Sequence, residues 1–173
     1  MREIVPSLGR LGVVYNPNDQ GAPAHLRSLR QSARSLGISI ESNIPVKLPE
    51  DFDRVLPMTD FSSMDGVMTF TNDLTSSYWG KISGFPLGHR LPTVCEFRFL
   101  VQMGCLISYG PSLDEFTERV VLQVDKILKG KSPSEVPVEQ ATRFELAVNN
   151  RTAKALGITL PRAIVIRADE VIE

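Results

Sequence analysis

The sequence has little of what marks a metal site, a membrane span or a nucleic-acid-binding surface. Its two cysteines, Cys95 and Cys105, lie in apolar segments without CxxC or Cys/His spacing, which favours buried free thiols over a metal site or a disulfide. No apolar run reaches the roughly 18 residues of a membrane span. The formal net charge is −1, which gives no electrostatic reason to expect nucleic acid as a partner.

Motifs of catalysis and of phosphate binding are also missing. No GxGxxG follows the first predicted strand, and residues 80–83 (GKIS) lack the glycine spacing of a P-loop. His25 and His89 have no serine or cysteine nucleophile motif near them, so surface histidines are the better interpretation. We therefore predict no enzyme activity, no cofactor and no metal.

What the sequence does contain is an alternation of strand-like and helix-like segments. Apolar runs of strand length recur, with segments of helical period between them. The predicted strands are residues 11–15, 38–44, 66–70, 93–96 and 105–109. This β-α-β-α order predicts an α/β fold with a doubly wound, mostly parallel open sheet and flanking helices.

Two of the helical segments have a clear apolar face. Residues 23–36 place Leu26, Leu29, Ala33 and Leu36 on one side, as in a helix that covers a sheet. Residues 112–129 have a broader apolar face that needs a partner surface. A proline-containing connector at 132–138, a strand at 143–149 and a short helix at 150–157 follow.

Two polar strand ends are the candidate binding segments, because ligands of doubly wound sheets bind outside the carboxyl ends of the strands. The first includes Asn16, Asn18, Gly21 and Ala22, where unpaired amides at a helix start favour an anion. The second includes Thr71, Asn72, Asp73 and Thr75. We expect Asp73 or Thr75 to cap the following helix and Asn72 to stay free. On residue types alone, self-capping turns explain both segments equally well.

The order of motifs resembles a known family. The runs IVPSLGRLGVVYNPND, FTND and EFRFLVQMGCLISYGPSLDEF, with the connector ILKG-x-x-P-x-x-x-PVE and the segment NNRTAKALGITLP, resemble ABC transporter substrate-binding proteins of the tryptophan/tyrosine type. The resemblance implies a type I periplasmic binding fold, in which two lobes close on an amino acid, often aromatic, and deliver it to a membrane permease. It also implies a periplasmic location, although Met1-Arg2-Glu3 does not begin a signal peptide.

The resemblance concerns the C-terminal half of such a protein. It implies that residues 1–110 form the second ligand-binding lobe, that 111–131 form a helix that would pack on an N-terminal lobe, and that 132–173 complete the second lobe. With half the contacts, we expect millimolar affinity or none. We also expect a homodimer through the helix at 112–129, which the connector could allow to be exchanged between protomers. The alternatives are a monomer whose helix folds against its own sheet and a non-binding remnant that dimerises.

The resemblance also assigns roles to the candidate residues. The turn with Asn16 and Gly21 matches the place where the family holds the ligand's charged group. The turn with Thr71 and Asn72 matches the place where hydroxyl and carboxylate groups would bind the ligand's amino group. Three further residues are expected to line the cleft: Glu96, Ser108 and Tyr109.

An unrelated class of protein, the flavodoxin-like or receiver domains, has the same order of strands and helices. A flavodoxin-like or receiver domain would need an acidic cluster after its first strand and an aspartate on its third. Asn16, Asn18 and Asp19 form only a partial cluster, and Asp73 lies past the third predicted strand.

Overall fold

A single seven-stranded sheet runs through the whole chain in the order β2-β1-β3-β4-β5-β6-β7. The computed structural model describes residues 1–173. The strands are β1 Arg10–Tyr15, β2 Ser39–Pro45, β3 Gly66–Thr69, β4 Thr93–Cys95, β5 Ile107–Pro111, β6 Phe144–Asn149 and β7 Glu170–Ile172. All neighbours pair in parallel except β5 and β6. The predicted α/β fold with a mostly parallel sheet is therefore confirmed.

Eight α-helices connect and flank the strands. They are α1 Ala22–Ser35, α2 Asp51–Met58, α3 Asp73–Ser77, α4 Trp79–Gly88, α5 Arg98–Gln102, α6 Leu113–Leu128, α7 Asn150–Leu156 and α8 Arg162–Arg167. None is long and apolar enough to cross a membrane.

Buried side chains cover both faces of the sheet, as alternation along the strands requires. On one face, Val14, Trp79 and Leu100 belong to a cluster of 16 buried residues. On the other face, Val148 and Ile164 belong to a cluster of 8, and Val13 and Leu26 to a smaller one. Cys95 and Cys105 are buried free thiols, as expected.

Helix α1 packs as its pattern predicts, with one exception. Leu26 and Ala33 are buried, but Leu36 is 54% exposed. The helix ends at Ser35, so Leu36 forms its C-cap and no longer lies over the sheet. A period of 3.6 residues predicts a face only while the helix continues.

Helix α6 differs from the others because none of its 16 residues is buried. It contacts the connector that follows it: Arg119 pairs with Glu139, and the Glu115 carboxylate accepts hydrogen bonds from the Thr142 hydroxyl and the Arg143 N–H. These contacts hold the connector against one side of α6, while much of its apolar surface faces solvent.

Candidate functional site

The turn after β1 is closed by its own side chains. The Asn16 Oδ1 accepts from the Asn18 N–H at 2.9 Å, and the Asp19 Oδ1 accepts from the Gly21 N–H at 2.8 Å. The Ala22 N–H donates to the Asp19 carbonyl at 3.1 Å. The amides of Gly21 and Ala22 therefore already have acceptors. This geometry gives no support to the prediction that they hold an anion.

The turn after β3 is a reciprocal cap of helix α3. The Asn72 Oδ1 accepts from the Thr75 N–H at 3.0 Å, and the Thr75 hydroxyl oxygen accepts from the Asn72 N–H at 2.9 Å. Asn72 reaches this geometry because its backbone is extended, with φ at −148°. The prediction that Asp73 or Thr75 is the N-cap and that Asn72 is free was wrong. Asn72 is the cap, and Asp73 is an exposed residue of the first turn.

These two turns meet at one edge of the sheet. Strands β1 and β3 are neighbours, whereas the connection through α1 leads away to β2 on the other side of β1. The sheet therefore has a topological switch point between β1 and β3, where a crevice forms at the carboxyl ends. Across it, the Asn72 Nδ2 donates to the Asp19 Oδ2 at 3.5 Å.

Glu96 brings a second carboxylate to the same edge. It follows β4, and its Oε2 accepts from the Thr71 N–H at 3.3 Å. Burial raises the pKa of the Glu96 carboxyl above its usual value. The N–H and hydroxyl of Thr71 and the charge of His25 act in the opposite direction, and the charge of Asp19 acts in the same one. The Thr71 hydroxyl is buried beside that carboxylate and makes no well-formed hydrogen bond. This edge therefore offers hydrogen-bond acceptors that are only partly satisfied.

The acidic groups of the crevice have no lysine or arginine partner, although His25 lies near enough to favour the charged form of Glu96. Asp19, Asp73 and Glu96 make no ion pair with a lysine or arginine. His25, on α1, packs edge-on against Phe70 with ring centroids 5.5 Å apart. Such an arrangement suits a cationic donor such as an ammonium group, which carries three N–H donors and no acceptor.

Two predicted residues lie elsewhere. Ser108 is fully buried in the middle of the sheet, in register with Cys95, and its hydroxyl has no partner. Tyr109, the next residue, is 65% exposed and stacks on Phe144 at 5.8 Å. Neither side chain makes a hydrogen bond to Asp19, Asn72 or Glu96, although β5 runs beside the end of β4.

One residue of the crevice was not among the predicted site residues. Asp19 was considered only as part of a partial acidic cluster, yet its Oδ1 closes the turn while its Oδ2 reaches Asn72. The available signal was its position, as the first acidic residue after the strand that becomes the switch point.

Comparison with known proteins places this fold in a family. The model of the family described as ABC transporter substrate binding protein matches residues 1–172. A tyrosine-binding protein of Clostridioides difficile (strain R20291) is 21% identical over 165 residues, which are 91% of this chain and 45% of that protein.

Solved structures show the same fold. One is an ABC domain in complex with L-Trp from Streptococcus pneumonia, with a TM-score of 0.90 and 18% identity over 99% of this chain and 57% of that one. Another is a conserved domain protein from Vibrio cholerae o1 biovar eltor str. n16961, with a TM-score of 0.90 and 25% identity over 98% of this chain and 57% of that one.

The chain spans about half the length of these relatives. The family match leaves the flavodoxin or receiver alternative without support, and it concerns binding proteins rather than enzymes. Because that match covers residues 1–172, this chain belongs to the ABC transporter substrate binding protein family.

Proposed function

We propose that this chain forms one side of a cleft that binds an amino acid through its amino group. The observation that supports this most is the meeting of Asp19, Asn72 and Glu96 at the switch point without an ion pair to a lysine or arginine. The ligand ammonium would take the place of the missing cation.

The acceptors have the right chemistry for an ammonium ion. The Asp19 Oδ2 makes only a long 3.5 Å contact with Asn72, so it can accept a shorter hydrogen bond from a ligand. The Glu96 carboxylate supplies a further acceptor. Hydrogen bonds between charged groups are stronger than neutral ones, which makes amine recognition the main interaction on this side.

The ligand carboxylate needs a second surface. The amides of Gly21 and Ala22 are already bonded, so this edge has no evident donor set for an anion. The relatives are about twice as long as this chain, and closure of a second lobe on the ligand would supply that surface. We expect this chain alone to bind weakly, in the millimolar range, which corresponds to about −4 kcal/mol.

An aromatic amino acid is the favoured ligand. The relatives include a tyrosine-binding protein and a domain in complex with L-Trp. By the family role, the complete binding protein would work outside the cytoplasm, in the periplasm, and deliver its ligand to an ABC permease.

A titration with matched ligands tests the proposal. Tyrosine and tryptophan, the amines tyramine and tryptamine, and phenylpropionate, which has no amine, are titrated at millimolar concentrations and followed by calorimetry or by NMR shifts. We expect responses from the first four and none from phenylpropionate. Binding should be lost in Asp19→Asn, which keeps the Oδ1 that accepts from Gly21.

Glu118→Gln is the control for the change in charge, because Glu118 lies exposed on α6 and makes no ion pair. It should bind like the parent chain. An equal response to phenylpropionate, or binding that Asp19→Asn leaves unchanged, would contradict amine recognition at this edge. Silence for all ligands in a folded protein would favour the alternative of a chain that does not bind on its own.

A further inference from the structure

His25 lies at the crevice but has no part in the amine recognition described above. It is the fourth residue of α1, and its ring packs edge-on against Phe70, the residue that follows β3, with ring centroids 5.5 Å apart. A positive charge on the ring lowers the pKa of the Glu96 carboxyl, which follows β4. The imidazole is therefore close to groups from three different elements at the switch point.

Gly21 leaves the room that the imidazole occupies. Its φ of −76° and ψ of −25° are values that any residue adopts, so the backbone conformation does not require glycine. A Cβ on Gly21 would lie 3.2 Å from the His25 Cε1, 3.6 Å from its Nε2 and 3.3 Å from the Asp19 Oδ1. The imidazole and the Asp19 carboxylate thus lie side by side against one Cα.

The charged groups around the imidazole on the crevice side are carboxylates. They are Asp19 from the turn after β1, Glu96 from the end of β4, and Asp73, which is exposed at the start of α3. Arg27, on the same helix, points about 160° away from His25. A protonated imidazole would therefore interact with the same acidic groups as a ligand ammonium.

We propose that His25 belongs to the amine site and that its protonated form competes with the ligand ammonium for the Asp19 and Glu96 carboxylates. This inference rests on the proposed amine recognition and adds a dependence on pH to it. Histidine ordinarily changes charge between pH 5 and 8, whereas a primary amine stays charged throughout this range. The neutral imidazole leaves the carboxylates to the ligand, while the imidazolium neutralises them and repels the ammonium. Ligand binding is thus strongest at the alkaline end of the range and weakens on acidification.

Calorimetric titration with tyramine at about pH 8 and pH 5.5, at one ionic strength, tests the competition. The parent chain should bind tyramine more weakly at the lower pH, through His25 and through protonation of Glu96, whose pKa is raised by burial. In His25→Gln only the Glu96 effect remains. The ratio of the two Kd values should therefore be about two- to fivefold smaller than in the parent, the range of an exposed charge pair.

His89→Gln is the matched control. His89 is exposed at the end of α4, just before β4 begins, and so lies at the opposite edge of the sheet from the crevice. This variant should keep the Kd ratio of the parent. An equal ratio in the parent and in His25→Gln would overturn the competition, while tyramine binding at pH 8 would still support the amine site.

NMR follows the two imidazole rings separately. By linkage, a bound ammonium disfavours the imidazolium as much as the imidazolium disfavours the ammonium. Tyramine should therefore lower the pH at which the His25 ring signal changes and leave the His89 titration where it is. An equal change in both rings would be an effect of salt and would overturn the proposal. Absence of tyramine binding at pH 8 would overturn the amine site and the part of His25 in it.

Discussion

The side-chain amide of Asn72 donates to the Asp19 carboxylate across 3.5 Å, joining the turn that follows β1 to the turn that follows β3. Asn72 does this while its Oδ1 caps helix α3. The Asn72 side chain therefore both caps α3 and links the two turns that form the crevice. The length of the contact leaves the Asp19 Oδ2 available to a stronger donor.

Substitutions of Asn72 can separate the helix cap from the contact with Asp19. Asn72→Ala removes both, and we expect it to lower the free energy of unfolding by about 1 kcal/mol, the usual cost of losing an N-cap. Asn72→Ser keeps a capping oxygen but does not reach Asp19, so it should cost only a few tenths of that. Urea unfolding measures the difference. Equal losses in the two variants would show that the cap is not what stabilises α3.

Glu96→Gln should stabilise the protein while it weakens amine binding. Because burial raises the pKa of the Glu96 carboxyl, the folded protein holds this proton more tightly than the unfolded chain does. Stability from this group is therefore lost as the pH rises from the unfolded pKa through the folded one. Glutamine keeps an acceptor for the Thr71 N–H and removes the charge.

The measurement is Tm at two pH values for the parent chain and Glu96→Gln. We expect the variant to have the higher Tm at pH 8 and little advantage near pH 4, where the parent carboxyl is protonated in both states. A lower Tm for the variant at pH 8 would mean that the Glu96 charge is satisfied in the folded protein.

The sequence predicts the sheet well and the crevice only in outline. Apolar runs lie within two residues of the strands because buried strands need them, and parallel strands bring Asn16 and Asn72 to one edge. The choice of Asn72 as cap depends on its extended backbone, which residue type alone does not determine. Ser108 is buried and Tyr109 is exposed because the two residues lie on opposite faces of β5. The sequence of this five-residue strand does not show which of its two faces is covered.

Gly110 is required where β5 passes the end of β4. A Cβ at this position would overlap the Glu96 carbonyl oxygen, and both groups are main chain, so neither can move aside cheaply. We expect Gly110→Ala to destabilise the protein by about 2–3 kcal/mol, at the upper end for overpacking. Displacement of the Glu96 main chain should also weaken ligand binding. Thermal unfolding and the amine titration measure the two effects.

Gly84→Ala is the matched control. Gly84 lies inside α4, and a Cβ there meets nothing within 4 Å. Alanine is the better helix former, so this variant should gain about 0.5–1 kcal/mol. If both alanine variants changed stability in the same direction, the close approach of Gly110 to Glu96 would not be the cause of the first effect.

Glu115 attaches the connector to α6 through a carboxylate that is strongly favoured in its charged form. The Thr142 hydroxyl, the Arg143 N–H and the Arg119 guanidinium lower the pKa of Glu115 to about 2 from its usual value of 4.5. The stabilisation is complete above the unfolded value and is lost as the pH falls from about 4.5 toward 2. Acidification in this window should release the connector.

Glu115→Gln should have the same effect at pH 7. We expect faster hydrogen exchange at the Arg143 amide, since its N–H donates to Glu115 at 2.8 Å. Glu118→Gln, one turn along the same helix, should leave that exchange unchanged. Release of the connector would also uncover Phe116 and Val120, which line the cavity beneath it.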